Sequence, residues 1–258
     1  MRRQSSAAVA ERNRVLRERI ETVKAEHPFW GYRRVWAHLR FTEGQLVNRK
    51  RILRLMREHQ WLVPSNPRLR ASRTPTRNKP KSHRPNQWWG IDMTKVLVEP
   101  EGWLYIVLVL DWYTKKIVGW QAGTRSTGQD WLQALEMGLH QQFPNGVREQ
   151  GLCLMSDNGC QPTGKAFMTT CRALDVTQAF TSYNNPKGNA DTERLMRTLK
   201  EELIWLREWQ SHQELVEALA TWVQQYNTQY HHSALGYKTP TQFEQEYQSS
   251  HLTQFVAA

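Results

Sequence analysis

Cysteine is scarce in this 258-residue chain, which holds only Cys153, Cys160 and Cys171. An odd number without Cys-x-x-Cys spacing argues against both a disulfide framework and a structural zinc site. Long apolar runs are missing as well. The longest, Leu104 to Leu110, falls far below the roughly 18 residues of a membrane span. The N-terminal MRRQSSAAVAERNR has no apolar stretch of signal-peptide length and runs into charges. Together these features predict a cytoplasmic protein with no membrane partner. There is no Gly-x-x-x-x-Gly-Lys loop to cradle a nucleotide and no Gly-x-Ser-x-Gly nucleophile elbow. Internal repeats are absent. From His59 to Ile91 there is not one acidic residue.

Charge is present in quantity, and its placement says more than its sum. The net charge is +11, and Lys and Arg exceed Asp and Glu by 16 over residues 1–90, which leaves −5 for residues 91–258. Such polarisation suits an anionic polymer as partner, although a solvated basic arm has the same composition. With 39% hydrophobic residues the chain has ample material for a core. Its length allows one large domain and a small one.

The pattern divides the chain into residues 1–63, 64–86, 87–250 and a short tail, 251–258. Residues 8–62 read as three helices. The first ends at His27-Pro28, the second, GYRRVWAHLRFTEG, is closed by Gly44, and the third, VNRKRILRLMREHQWL, is capped by Asn48. Two short helices around a Gly-containing turn, the second lined by Arg49, Lys50, Arg54 and Arg57, fit a helix-turn-helix that binds DNA. A plain helical bundle with its arginines in water fits the same pattern. Residues 64–86 hold five prolines and seven basic residues, the composition of a stiffened basic linker. From Gln87 onward the sequence predicts three antiparallel strands, a helix over Thr127 to Phe143, a short strand in GLCLMSDNG, a helix and a fifth strand in VTQAF. Hairpins followed by strand–helix alternation imply an α/β fold, a mixed five-stranded sheet flanked by helices. Near the C-terminus Thr239 is placed to cap a helix that begins at Pro240.

Three carboxylates stand out in that frame. Asp92 lies inside an apolar strand, where a charge is costly unless paired or metal-bound. Asp157 ends a strand, and strand ends are where open sheets build sites. Glu193 opens a helix that Asn189 is positioned to cap, with Leu195, Leu199, Leu203 and Leu206 as its apolar stripe. Arg197 and Lys200 share the face of Glu193. Each acid also has a plainer reading: Asp157 as a turn residue before Asn158-Gly159, Glu193 as the partner of Arg197, Asp92 as the partner of Lys95. Asp111 also ends an apolar strand but precedes a turn, and Asp130 and Asp191 read as helix-start acids. Taken as a set, three carboxylates suit Mg²⁺, which takes few hard oxygen ligands from protein and leaves room for water and phosphate. Two such ions about 3.5–4 Å apart would stabilise both oxygens of an in-line displacement at phosphorus. A basic polymer-binding protein with acidic metal ligands is most simply a phosphodiester enzyme.

At this point the order of motifs becomes specific. HPFWGYRRVWAHLR with VNRKRILRLMRE, then WWGIDMTKV, VLDWYTKKIVGW, SDNGCQPTGKAFM, YNNPKGNADTERLMRTLKEE and YNTQYHHSALGYKTPTQF follow one another over nearly the whole chain. In this the sequence closely resembles the OrfB-type transposases of the insertion sequence three family, among the retroviral-integrase-like DDE recombinases. The 35 residues between Asp157 and Glu193 match the family spacing. The resemblance implies an RNase H-like integrase catalytic core behind a small all-α domain. It implies metal-dependent DNA cleavage and strand transfer by Asp92, Asp157 and Glu193, with Mg²⁺ or Mn²⁺, two ions being expected once DNA is bound. It favours Lys200 as a DNA contact beside the site, with Arg197 and with Lys187 in the loop before Glu193, a flexible cover for the DNA end. Its partners would be the element ends, target DNA and an upstream-frame protein, bound or fused, in a dimer or larger assembly on bacterial nucleoid DNA.

Two family features are absent. There is no His-His-Cys-Cys zinc module, because every cysteine follows residue 150. No leucine zipper is visible, since residues 8–26 are Arg-rich, so the chain reads as the downstream frame alone. A metal-dependent nuclease on the same fold that cuts without joining, or a DNA-binding regulator derived from a transposase, are the alternative functions.

Overall fold

The computed structural model describes residues 7–64, 80–181 and 186–256, without the side chains of Ala8, Pro186, Lys187 and residues 251–256. Most of the basic linker, the loop immediately before Pro186 and the Lys187 side chain therefore lie outside the described residues. Two compact units emerge: Met1–Ala71 with His231–Tyr237, and Ser72–Tyr230 with Lys238–Ala258. Among the described residues no helix is long and apolar enough to cross a membrane.

The smaller unit holds helices α1 (Ala7–Glu26), α2 (Tyr32–Ala37) and α3 (Arg49–Glu58). Leu16, Ile20 and Val23 of α1, Val35 and Ala37 of α2, and Ile52, Leu55 and Met56 of α3 are buried. In α1 and α3 the spacing of these residues is that of a single helix face, whereas Val35 and Ala37 bury opposite sides of the short α2. Asn48 Oδ1 accepts from the Lys50 amide at 2.8 Å and so caps α3. α2 is shorter than its sequence pattern: after Ala37 the backbone widens into a π-turn over His38–Thr42, and Gly44 follows at φ 68°. That left-handed value costs glycine nothing. His231–Tyr237 contributes buried Leu235, and His231 lies with Nε2 3.0 Å from the Thr42 hydroxyl.

The larger unit is a five-stranded sheet in the order β3-β2-β1-β4-β5. Its strands are β1 (Trp88–Val98), β2 (Gly102–Asp111), β3 (Ile117–Gly123), β4 (Cys153–Ser156) and β5 (Thr177–Phe180). The first three form antiparallel hairpins, whereas β4 runs parallel to both β1 and β5. α4 (Gly128–Gln142) and α5 (Lys165–Ala173) provide the crossovers that parallel pairing requires. α4 starts in a capping box between Thr127 and Asp130. Side chains alternate across β1: Trp89 and Ile91 enter a core with Trp131, Leu135, Leu154 and Phe167 on the side of α4 and α5. Gly90 therefore faces the other way, toward α6 (Ala190–Glu202). α7 (His212–Gln229) and α8 (Pro240–Val256) complete the unit. Thr239 and Gln242 cap α8 reciprocally, through bonds of 3.1 and 3.3 Å.

Candidate active site

The three carboxylates are brought toward one another by strand register. In the parallel pair of β1 and β4, Trp89 lies opposite Leu154 and Gly90 opposite Met155, after which regular pairing ends. Two residues on from Gly90 is Asp92, and two on from Met155 is Asp157. Because the side-chain period of a strand is two, both acids leave the sheet on the face of Gly90, at neighbouring levels. Splayed strand ends are where a sheet has room for a ligand. Asp157 is exposed there, and Asp92 is partly buried.

Glu193 reaches this face because α6 docks unusually close to β1. A Cβ on Gly90 would stand 1.9 Å from Thr192 Oγ1, 2.5 Å from Trp112 Nε1 and 2.7 Å from Asn189 Oδ1. Only glycine permits that approach. Around it, Trp112 Nε1 donates to Thr192 Oγ1 at 3.1 Å, with Thr192 fully buried. Lys115 Nζ lies 3.1 Å from Asp191 Oδ2 and donates to the Trp112 carbonyl at 2.6 Å. The turn between β2 and β3 thus holds the first turn of α6 through two side chains. That turn is itself ordered by Asp111, whose carboxylate accepts from Tyr113 N, Thr114 Oγ1 and Asn86 N at 3.0, 2.8 and 3.3 Å. Burial raises the Asp111 carboxyl to about 6, against the opposing pull of those donors.

Asn189 occupies the cap position of α6 but does not cap it. Its Nδ2 donates instead across to the Ile91 carbonyl at 3.4 Å, while Oδ1 is buried without a partner. The pull of β1 on the helix start outweighs local capping. The leucine stripe also stops short. α6 ends at Glu202, Leu203 turns to φ −132°, and Leu206 is 42% exposed in a following 3₁₀ turn. Arg197 is taken by Glu201, with Nε to Oε1 at 2.6 Å, rather than by Glu193. One face of a helix offers a cation two acids at compatible spacing, and packing chooses between them.

Asp157 and Glu193 both lie within electrostatic reach of Asp92, and so does Lys200. Desolvation is the main cause that pushes the Asp92 carboxyl up to about 6. The Met93 amide, donating at 2.8 Å, pulls the other way; the charges of Asp157 and Glu193 push further up, and Lys200 pulls down. Asp157 Oδ1 accepts from the Gly159 amide at 3.0 Å. Asp92 and Asp157 each keep their second oxygen, and Glu193 both of its own, without a donor among the described residues. Uncompensated negative charge on hard oxygen donors fits a divalent cation of the Mg²⁺ kind. Among the described residues no three His, Cys, Asp or Glu side chains stand together closely enough to hold a metal ion. The fit therefore rests on donor chemistry and charge.

The remaining basic residues named on sequence are in the helical unit. Arg49, Lys50 and Arg57 are exposed on α3, and Arg54 lies 3.8 Å from Glu58 in an exposed pair. No acid stands in the first turn of α3. Sequence reasoning passed over Gly90, Trp112, Lys115 and Thr192. The only signal was that Gly90 interrupts an otherwise bulky strand two residues before Asp92, a position where close backbone approach is one standard explanation.

Comparison with known proteins sets these features in a family. Two families described as integrase core domains match residues 82–186 and 174–240, and one described as an HTH-like domain matches residues 10–68. A transposase of insertion sequence element IS904 from Lactococcus lactis is 29% identical over 256 residues, covering 95% of this chain and 98% of the relative. The InsD transposase of insertion element IS2 from Escherichia coli is 26% identical over 231 residues, covering 87% and 76%. In fold, the chain is similar to one from the simian T-cell lymphotropic virus intasome in complex with PP2A regulatory subunit B56 gamma. That likeness has a TM-score of 0.55 at 16% identity over 83% of this chain and 70% of the other.

Proposed function

We propose that the chain is an insertion-sequence transposase of the DDE integrase superfamily and, on that premise, that Asp92, Asp157 and Glu193 are its catalytic metal ligands. It is a polynucleotidyl transferase that acts on DNA. The observation that carries the assignment is the strand register, which sends Asp92 and Asp157 out of one sheet face, together with the close dock of α6 that delivers Glu193 there. Mg²⁺ or Mn²⁺, held by these three residues, would supply Lewis-acid stabilisation of the attacking and leaving oxygens at phosphorus.

The protein's own part is positioning and charge. Asp92 must be ionised to serve as a ligand, and burial first, with the charges of Asp157 and Glu193 adding to it, opposes that ionisation until a cation is bound. Lys200, within reach of the same carboxylate, is suited to hold a DNA phosphate beside the site, with Arg197 further out on the exposed side of α6. Lys187 belongs to the same proposal on sequence grounds. In the helical unit, Arg49, Lys50, Arg54 and Arg57 of α3 are candidate DNA contacts.

The reaction also requires company. Two element ends must be joined, and one set of three carboxylates acts on one strand end at a time. We therefore expect a dimer or larger assembly on DNA, with an upstream-frame protein supplying further end recognition. The test is strand transfer with pre-cut ends in Mg²⁺ or Mn²⁺. Asp92→Asn and Glu193→Gln should each abolish cleavage and joining while DNA binding survives, because loss of a ligand removes charge stabilisation on which phosphoryl transfer depends. Loss of DNA binding to the same degree would assign the residues a structural role. Cleavage without joining by the unaltered protein would make it a nuclease.

A further inference from the structure

The arginines of the helical unit differ in what they touch, and two sets contrast most clearly. Arg14 bonds Glu11 and Glu18 at 2.7 Å each, and Arg19 bonds Glu43 at 2.9 Å. Arg33, Arg40 and Arg49 rest on aromatic rings instead. The Arg33 guanidinium lies 5.7 Å from the Tyr32 ring centre, and its Nε donates to the Tyr32 hydroxyl at 3.2 Å. Arg40 lies 6.0 Å from the Trp36 ring centre and 5.9 Å from that of Phe41. Arg49 lies 5.9 Å from the Trp36 ring centre and donates to the Tyr237 hydroxyl at 3.5 Å. Among the described residues none of these three has a carboxylate partner.

Their platform is rigid. Trp36 Nε1 donates to the Val47 carbonyl at 2.8 Å, and the ring meets Phe41 edge-on at 5.7 Å and Tyr237 at 5.2 Å. Tyr237 comes from far along the chain yet is a member of this unit. His231 Nδ1 donates to the Tyr237 carbonyl at 2.9 Å, which leaves Nε2 to accept from the Thr42 hydroxyl at 3.0 Å. The Tyr237 hydroxyl is also within electrostatic reach of Arg33.

Two guanidinium groups about one indole, with a third beside Tyr237, repel one another unless an anion joins them. Ring faces hold such cations in place but do not neutralise them. Their planar donor forks remain available and match phosphate oxygens bidentately. We propose that Arg33, Arg40 and Arg49 form one contact surface for the phosphate backbone of duplex DNA, built on Trp36 and completed by Tyr237. This rests on the reading of the chain as a DNA transposase and adds to it. The surface gathers α2, its π-turn, the start of α3 and the segment His231–Tyr237, so it is wider than the face of α3. Backbone contacts of this kind set register and affinity, whereas base edges are left to other residues.

The experiment is titration of the full chain with a terminal-repeat duplex across a range of salt concentrations. Each phosphate contact contributes about 0.9 to the slope of log affinity against log salt. The triple variant Arg33→Ala/Arg40→Ala/Arg49→Ala should make the slope shallower by about 2–3, while Arg14→Ala, whose cation is already paired, leaves it unchanged. Tyr237→Phe keeps the ring and removes the hydroxyl, so it should weaken binding less than Tyr237→Ala. Circular dichroism confirms that each variant is folded. A triple variant with the wild-type slope overturns the proposal, and so does an equal loss from Arg14→Ala, which would show only general charge. Absence of salt-linked DNA binding by the unaltered chain would instead overturn the functional reading itself.

Discussion

Replacing Gly90 by alanine should disable strand transfer while leaving DNA binding intact. The new Cβ would meet Thr192 Oγ1 at 1.9 Å, against an ordinary contact of 3.4 Å or more. The first turn of α6 would therefore have to retreat by roughly 1.5 Å, because packed interiors deform little. Thr192 has no easy way to swing aside. It is fully buried, β-branched and bonded to Trp112. Overpacking of this sort costs about 1–3 kcal/mol, which in a domain of this size lowers the melting temperature by roughly 2–12 °C. Glu193 follows Thr192 directly and moves with the turn. A misplacement near 1 Å in a catalytic group costs about 100-fold in rate, so joining of pre-cut ends at saturating DNA should fall by about that factor. Adding Thr192→Ala to the same chain removes the shortest clash and should recover part of the lost stability. Wild-type joining and melting by Gly90→Ala would refute the close dock as the device that places Glu193.

Other consequences follow from the same geometry. Thr192→Ser keeps the acceptor for Trp112 and should retain joining, whereas Thr192→Val keeps the shape and should lose it by about 10-fold, near the worth of one hydrogen bond; single-turnover rates decide. The Asp92 carboxyl is raised in the fold to about 6 from 3.8. Its contribution to stability is therefore present in full below pH 3.8 and is lost as pH rises through 6, so the charged form strains the metal-free protein at neutral pH. Asp92→Asn should accordingly melt higher than wild type at pH 7.5 without metal, and Mg²⁺ or Mn²⁺ should raise the melting temperature of the wild type more than that of the variant. The rate of joining should fall as pH drops below about 6 at low metal concentration, as a pH–rate profile would show. Deleting residues 1–86 should flatten the salt dependence of DNA binding, because Lys and Arg exceed Asp and Glu by 16 over residues 1–90. A footprint with the isolated 258-residue chain should show weak protection of the terminal repeats that strengthens when the upstream-frame protein is added.

Much of this protein is decided by residues acting on their near neighbours. The strands of the sheet, the caps at Asn48, Thr127 and Thr239, and the emergence of Asp157 at a strand end follow from period, turn chemistry and local hydrogen bonds. The proposal of Asp92, Asp157 and Glu193 as a set came from residue type and local position, an acid inside an apolar strand, one after a strand end and one in a first helical turn. Tertiary structure alone brought Gly90, Trp112 and Thr192 into contact, and no local rule ties a strand glycine to a residue about a hundred positions on. It turned Asn189 away from its helix toward the Ile91 carbonyl and gave Arg197 to Glu201 instead of Glu193. It also placed Tyr237 on Trp36, in the unit formed by the N-terminal helices. Propensity and pattern are fixed by the chain's own covalent neighbourhood, whereas a side chain with two permitted partners takes the one that close packing leaves within reach.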